Sequence, residues 1–365
     1  MDQIETLAVS NTAWITTSNN AGYSPLQIIC KNGRIDEEII DLFARIGGPD
    51  AFAVADLMGN TPLHSAIRLE TKVEALLALI KAYPDALHMK TMYDDTPLHL
   101  ACLRGVDERK VREVTLASSL GLETVLAHCP ASLSPILVPN TAGQTPISIA
   151  MEEYSRFCRP SRSRRCCVQG DCGEAQARAF NVLVVLVEIL HYGPRAAKSP
   201  NQPLNLVSAC VALHRKDVRL DPAFIRRAIV QRPQDLRVAD ENGNYPMHVE
   251  ASIPIEKMSL LNAPHEGCCC GGVCHKRIGV LRMLLEIYPE AVRLSNHAGY
   301  FPLNLMIQSG RAWDSTFSLV LQQFPQALCS SGATVGPQLL PFVLQKMSNQ
   351  CGTDCVFTFL RNIPT

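Results

Sequence analysis

The chain has 365 residues, of which 47% are hydrophobic, and its 34 basic and 34 acidic residues leave no net charge. That much apolar side chain can bury a large core. Because there is no overall positive field, we expect neither a nucleic acid partner nor attraction to an anionic membrane. The first residues, MDQIETLAVS, lack the features of a signal peptide, and the longest apolar run, 182–190, is too short to span a bilayer. We therefore expect a cytoplasmic or nuclear protein.

A proline followed by an apolar run recurs seven times, at Pro25, Pro62, Pro97, Pro146, Pro203, Pro246 and Pro302. A second signature, Pro-x-Ala-apolar, ends the apolar helix before most copies and begins at Pro49, Pro84, Pro130, Pro194, Pro289 and Pro325, with Pro233 lacking only the alanine. The link from second to first signature is thirteen residues in four cases, whereas the return varies from 22 to 48. One rigid and one variable connection is typical of a solenoid, with stacked turns on one edge and free loops on the other.

Each repeat predicts a short first helix, a loop, a longer apolar second helix and a tight turn. Thr61 and Thr96 suit the N-cap of the first helix, and the prolines that follow suit its first position. The second helix is well marked at 72–80 and at 278–287. Asn or Asp followed by Gly, as in 56–59 and 240–243, supplies the positive φ of a hairpin.

The motif Asp/Asn-x-x-Gly-x-Thr-Pro-Leu-His-x-Ala resembles the ankyrin repeat, most closely at 56–66 and 91–101, and the resemblance covers roughly 20–330. It implies an all-α, ankyrin-type helix–loop–helix solenoid with hairpin turns along one edge. In that family the histidine forms a hydrogen bond in the turn. The histidine is replaced by Gln27, Ser148, Asn205 and Asn304, and we expect those hairpins to be held less firmly.

The repeats also predict the organisation of the chain. We assign 1–18 to an N-terminal capping helix, 19–336 to seven divergent repeats, and 337–365 to a degenerate C-terminal capping repeat, because an uncovered repeat exposes its apolar face. Inter-helix insertions are placed at 159–175 and 253–276.

The resemblance implies that the hairpin tips and first helices form a concave face that binds another protein. The family's contact positions, carried over in register, are Leu57, Met58, Asn60, Arg68 and Leu69 in the second repeat and Met92, Tyr93, Asp95, Leu103 and Arg104 in the third. Met, Tyr and Arg are enriched at interface centres. The alternative is that these side chains only help neighbouring repeats to stack. We expect a monomer that binds one partner protein.

Both insertions carry possible zinc ligands: Cys166, Cys167 and Cys172 in one, and Cys268, Cys269, Cys270, Cys274 and His275 in the other. Their spacing fits no familiar zinc module, since adjacent cysteines do not easily chelate one ion and no C-x-x-C pair occurs. Free thiols and disulfides between neighbours remain alternatives. A bound cofactor is not expected, with zinc as the one exception to test.

Common catalytic signatures are absent: the sequence has no G-x-x-x-x-G-K-[ST], G-x-G-x-x-G, H-E-x-x-H or G-x-S-x-G. His64, His99 and His248 are repeat positions, which favours a structural role. We therefore predict a scaffold or adaptor without catalytic activity. The alternative is a metal- or redox-responsive regulator that uses the cysteine-rich loops.

Overall fold

The computed structural model describes residues 13–69, 71–103, 108–125, 134–158, 171–193, 205–215, 218, 220–253, 279–309 and 315–328. All regular structure in these ranges is helical, and the predicted all-α, helix–loop–helix fold with hairpin turns is confirmed. The chain divides into two compact units, residues 1–202 and 203–365. Within the described ranges no helix has the length and apolar character needed to cross a membrane.

The first unit contains four helix pairs. Its α-helices are α1 (Ala13–Thr16), α2 (Pro25–Lys31), α3 (Glu37–Gly47), α4 (Asp50–Ala53), α5 (Pro62–Arg68), α6 (Val73–Ala82), α7 (Pro97–Ala101), α8 (Glu108–Val125), α9 (Pro146–Cys158) and α10 (Asp171–Tyr192). The first helices α2, α5, α7 and α9 pack on one another in sequence, and the second helices α3, α6, α8 and α10 do the same. Each repeat therefore buries its apolar faces against its neighbours.

The second unit contains three pairs built in the same way. Its α-helices are α11 (Leu206–Arg215), α12 (Pro222–Gln231), α13 (Pro246–Ala251), α14 (Val280–Ile287), α15 (Pro302–Gln308) and α16 (Ser315–Gln323). The first helices α11, α13 and α15 form one layer and the second helices α12, α14 and α16 form the other. The apolar residue after the signature proline lies in the core in each copy that the structure describes, as Leu63 does in the first unit and Leu303 in the second.

The helices begin where the sequence predicts. Thr61 and Thr96 are the N-caps of α5 and α7, and a proline follows each of them. Asp36 caps α3, its carboxylate accepting from the backbone N–H of Ile39 at 2.9 Å. These caps satisfy N–H groups that have no partner inside a helix.

The fifth repeat, which lacks the Thr-Pro cap, is capped from outside. Asp235 replaces the alanine of the second signature, and its buried carboxylate accepts from the N–H of Leu206 at 2.8 Å, at the start of α11. Burial raises the pKa of this carboxyl group. The aspartate therefore links the turn after α12 to the start of α11.

The Pro-x-Ala signature forms short 3₁₀ turns, at Pro84–His88, Pro233–Arg237, Pro289–Arg293 and Pro325–Leu328. Their alanines Ala86, Ala291 and Ala327 are buried. The copies predicted at Pro130 and Pro194 lie outside the described residues, and a 3₁₀ turn occupies Pro135–Leu137 instead.

Two features differ from the predicted organisation, and other parts of it lie outside the described residues. Helix α9 has 13 residues, so the first helix is not short in every repeat. Helix α10 begins at Asp171, inside the insertion predicted at 159–175. Of the N-terminal cap only residues from Ala13 onward are described, and most of the second insertion and all of the C-terminal cap lie outside the described residues.

Candidate interaction surface

Six hairpins connect the repeats within the described residues, at 19–23, 56–60, 91–95, 140–144, 240–244 and 296–300. In each, the N–H of the first residue donates to the carbonyl of the fifth and the N–H of the fourth donates to the carbonyl of the first. The side chain of the first residue adds two more bonds: the Oδ1 of Asp56 accepts from the N–H of Met58 at 2.9 Å and of Asn60 at 2.8 Å. The hairpins are therefore rigid and nearly identical.

The fourth hairpin residue must adopt a positive φ. Glycine fills this place in five of the six hairpins, with φ of 78° at Gly59 and 76° at Gly243. In the third repeat the place belongs to Asp94, which has a φ of 59° and forms an ion pair with Lys90 at 3.7 Å. Aspartate tolerates this conformation better than most residues.

Backbone hydrogen bonds join the hairpins of the second, third and fourth repeats in sequence. The N–H of Met92 donates to the carbonyl of Met58 at 2.9 Å, and the N–H of Thr141 donates to the carbonyl of Tyr93 at 3.0 Å. A Cβ atom on Gly59 would lie only 3.0 Å from the nitrogen of Met92. The main chain thus fixes the spacing of the tips of these three hairpins.

The second unit repeats this arrangement. The N–H of His297 donates to the carbonyl of Asn242 at 3.0 Å, and the amide of Asn296 donates to the side-chain oxygen of Asn244 at 2.9 Å. A Cβ atom on Gly243 would lie 2.7 Å from the nitrogen of His297. The two units therefore share one way of stacking hairpins.

The repeat histidines hold each hairpin to the helix before it. The backbone N–H of Thr61 donates to Nδ1 of His64 at 3.2 Å, so Nε2 carries the ring proton and donates to the carbonyl of Asp95 at 3.3 Å. His99 and His248 form the same bond with Gln144 and Tyr300, both at 3.2 Å. Burial lowers the pKa of His64 and of His248 to about 4, and it lowers that of His99. The rings are therefore neutral structural donors.

The expectation that replacement of this histidine loosens the hairpin is wrong at Gln27, whose amide donates to the carbonyl of Asn60 in the next hairpin. The amides of Asn205 and Asn304 donate instead to the 3₁₀ turns that end their own repeats, to Asp235 at 2.7 Å and to Ala327 at 3.0 Å. An amide N–H can replace an imidazole N–H because both are neutral donors. Ser148 bonds only within its own turn, to Thr145.

The structure brings most of the predicted contact residues to the hairpin tips and the ends of the first helices. The exposed fractions of the apolar ones are 77% for Leu57, 42% for Met58, 57% for Met92, 52% for Tyr93 and 42% for Leu103. Arg68 is exposed, and Leu69 is half-buried. These side chains are available to a partner within the described part of the first unit.

Three other predicted contact residues differ. Asn60 is buried, and its amide donates to both carboxylate oxygens of Asp56 at 3.1 and 3.0 Å. Asp95 accepts from the amide of Asn140 at 2.8 Å. Arg104 lies outside the described residues. The geometry of Asn60 and Asp95 therefore fits a stacking role, which was the alternative for this set.

The other hairpins carry small or polar tips. The corresponding pairs are Asn20 and Ala21, Thr141 and Ala142, Glu241 and Asn242, and His297 and Ala298. Exposed apolar tips are thus confined, among the described hairpins, to the second and third repeats. They lie next to each other because the Met92 to Met58 bond joins their hairpins.

Lys31 was not predicted from the sequence as part of this surface. Lys31 lies four residues after Gln27, as Arg68 lies four residues after His64, and both end helices that pack side by side. The ammonium of Lys31 lies 3.1 Å from the centre of the Tyr23 ring. Comparing the repeats in register, with Gln27 treated as equivalent to histidine, would have found it.

The possible zinc ligands are not tested by the structure. Cys166, Cys167, Cys268, Cys269, Cys270, Cys274 and His275 lie outside the described residues, and Cys172 lies in α10 with its side chain undescribed. In the ranges that are described, no three His, Cys, Asp or Glu side chains come together as a metal site. The zinc prediction stays a prediction.

Comparison with known proteins finds similar solved structures but no matching family or curated relative. No protein-family model matches the chain, and no curated protein matches it. The ankyrin repeat domain of Bcl-3, a member of the IκB protein family, is similar at 15% identity over 83% of this chain and 100% of that one, with a TM-score of 0.33. Because this TM-score is low, the fold is assigned from the helices, hairpins and hydrogen bonds of this chain itself.

Proposed function

We propose that this chain is an ankyrin-repeat protein that serves as a protein-binding scaffold or adaptor without catalytic activity. The partner docks on the hairpin tips and first-helix ends of the second and third repeats, a surface we call the tip patch and define as Leu57, Met58, Met92, Tyr93 and Leu103. The observation that supports this is the exposure of five large apolar side chains on a rigid frame. Clustered exposed apolar groups mark interaction sites in soluble proteins.

The apolar character of the tips is not needed for folding. In the second unit the same hairpin places carry Glu241, Asn242, His297 and Ala298, yet the backbone bond between the hairpins is the same. Exposing Leu, Met and Tyr to water has a free-energy cost that burial against a partner removes. A binding role accounts for their presence.

The described cysteines give no support to the redox alternative. Cys30, Cys102 and Cys210 are all buried. Burial raises the pKa of Cys30 to about 12 and that of Cys102 further, which suppresses the thiolate that redox chemistry needs. The alternative now depends on cysteines whose side chains lie outside the described part of the chain.

The test is an affinity purification from source cells with the wild-type chain and with Met58→Glu/Tyr93→Glu, followed by calorimetric titration of each candidate partner. A charged side chain at each apolar tip should weaken binding of a true partner at least about a hundred-fold, because two hot-spot contacts are lost.

The matched control is Asn242→Glu/Ala298→Glu, which puts the same charges on the corresponding tips of the second unit. We expect this control to bind as the wild type does. A partner whose affinity is the same for wild type and tip variant contradicts the placement of the surface.

A further inference from the structure

The charges around the tip patch are not evenly balanced. Arg68 ends α5 and Lys31 ends α2, and these two first helices pack side by side. Helix α5 has 7 residues and begins directly after the hairpin that carries Leu57 and Met58. At 1.5 Å per residue, Arg68 is about 10 Å from that hairpin along the helix. A single short segment of a partner can span both.

The carboxylates of the two apolar hairpins are already engaged. Asp56 accepts four hydrogen bonds inside its own turn, from Met58 and from the backbone and amide of Asn60. Asp94 pairs with Lys90, and Asp95 accepts from Asn140. The hydrogen bonds leave the charges of Asp56 and Asp95 in place, but they hold both half-buried carboxylates inside the turns, whereas Lys31 and Arg68 are exposed at the first-helix ends.

The two cations, by contrast, have no carboxylate partner in the described part of the chain. Arg68 is exposed and has no ion pair there. Lys31 contacts only the face of the Tyr23 ring, which leaves its charge uncompensated. An unpaired cation beside an apolar surface favours an anionic group on the partner.

The fourth repeat shows the opposite arrangement at the same helix position. There Glu152 pairs with Arg156 at 3.1 Å, and Glu153 pairs with the same guanidinium at 2.6 Å. The charges at this end of the row are compensated within one helix. Uncompensated positive charge therefore coincides with the apolar tips and does not continue past them.

We infer that the tip patch binds an acidic amphipathic segment of a partner protein, whose apolar side chains contact the tips of the second and third repeats and whose carboxylates pair with Lys31 and Arg68. This inference rests on the proposed function. It adds the chemistry of the partner: apolar residues at the spacing of one helix face, and Asp or Glu within about two helical turns of them.

The first experiment is a selection of random 16-residue peptides displayed on phage against the full chain, with removal of peptides that also bind Met58→Glu/Tyr93→Glu. Tip-dependent peptides rich in Asp, Glu and apolar residues support the inference. Tip-dependent peptides that are neutral or basic overturn it and leave the proposed function standing. Recovery of no tip-dependent peptide overturns the inference as well, while the titrations of purified partners still decide the proposed function.

The second experiment measures the tightest selected peptide by fluorescence anisotropy. Lys31→Glu/Arg68→Glu should weaken binding at least about ten-fold, and raising the salt from about 0.05 to 0.5 M should weaken the wild type comparably. The control Lys72→Glu/Lys81→Glu makes the same change in net charge on exposed positions of the second-helix segment. Equal losses in both variants would show that bulk charge alone is responsible and would overturn the inference. Circular dichroism at matched temperature confirms that each variant is folded.

Discussion

The two units use the same hairpins but carry different tips. In the first unit the joined hairpins at 56–60 and 91–95 present Leu57, Met58, Met92 and Tyr93, whereas the joined hairpins at 240–244 and 296–300 present only polar or small side chains. A main-chain bond holds each pair, and in the second unit a bond between the side chains of Asn296 and Asn244 adds to it. The frame and the recognition surface are therefore specified by different residues, and each can be perturbed separately.

The largest expected effects fall on the shared frame. Leu98 and Met247 occupy the same place after the signature proline and are both buried. We expect Leu98→Ala and Met247→Ala each to lower the free energy of unfolding by about 2–5 kcal/mol, because each leaves a cavity in a packed core. Urea denaturation followed by circular dichroism measures this. The exposed Leu57→Ala serves as control, and an unchanged midpoint for Leu98→Ala would contradict the register of the third repeat.

Acid should affect the first unit more than the second, because it has two repeat histidines, His64 and His99, against His248. Burial lowers the folded pKa of His64 and His248 to about 4 from an ordinary 6.5. Between pH 4 and pH 6.5 the unfolded chain therefore binds more protons than the folded chain does. The stability that is present above pH 6.5 is lost as the pH falls toward 4. At pH 5 each such histidine should cost about 2 kcal/mol.

The variant His64→Gln tests this mechanism, since Gln27 shows that a glutamine amide can form the same bond. We expect the variant to have similar stability at pH 7.5 and a smaller loss on acidification to pH 5. Denaturant titrations at the two pH values provide the comparison. Parallel losses in wild type and variant would exclude His64 as a source of the acid sensitivity.

Glycine substitutions should show where hairpins touch. Gly59→Ala and Gly243→Ala add a Cβ atom that meets the next hairpin, whereas the Cβ atom of Gly143→Ala meets nothing within 4 Å. All three glycines have a positive φ. We expect a loss of about 1 kcal/mol from backbone strain at Gly143 and about 2 kcal/mol at the other two. Equal losses at Gly59 and Gly143, measured by thermal denaturation, would show that hairpin contact contributes nothing.

The smallest effect belongs to the one hairpin without glycine at its fourth residue. Asp94→Gly removes the strain of a positive φ but increases the freedom of the unfolded chain, and the two effects partly cancel. We expect a gain of about 0.5 kcal/mol in the free energy of unfolding, measured by urea denaturation. A loss of stability would mean that the ion pair with Lys90 outweighs the strain.

Local spacing was enough to predict the helices, their caps and the hairpins, because those features depend on residues within a few positions of one another. Thr61 with Pro62 and Asp56 with Gly59 are examples, and the structure confirms both. Contacts between residues far apart in the sequence could not be predicted from local spacing. Asp235 caps α11 from the turn after α12, and Gln27 bonds to Asn60 in the next hairpin. Both contacts depend on how segments that are far apart in the sequence pack together.

The candidate site was predictable in position and less so in detail. Register alone identified Leu57, Met58, Met92 and Tyr93 as tip residues, and the structure places them in solvent. Register also placed Asn60 among the contacts, but its amide is drawn inward by Asp56. Whether a polar residue faces a partner or its own turn depends on hydrogen-bond geometry, which spacing does not reveal.

The bonds between these hairpins use the carbonyls of Met58 and Tyr93 and the N–H groups of Met92 and Thr141, and the Thr141 hydroxyl adds one more bond to the carbonyl of Tyr93. A neighbouring hairpin therefore accepts almost any residue at those places. The main chain therefore sets the spacing between neighbouring hairpin tips, and the residue at each tip is free to change. New partners could be acquired by tip substitutions alone, without rebuilding the rest of the protein.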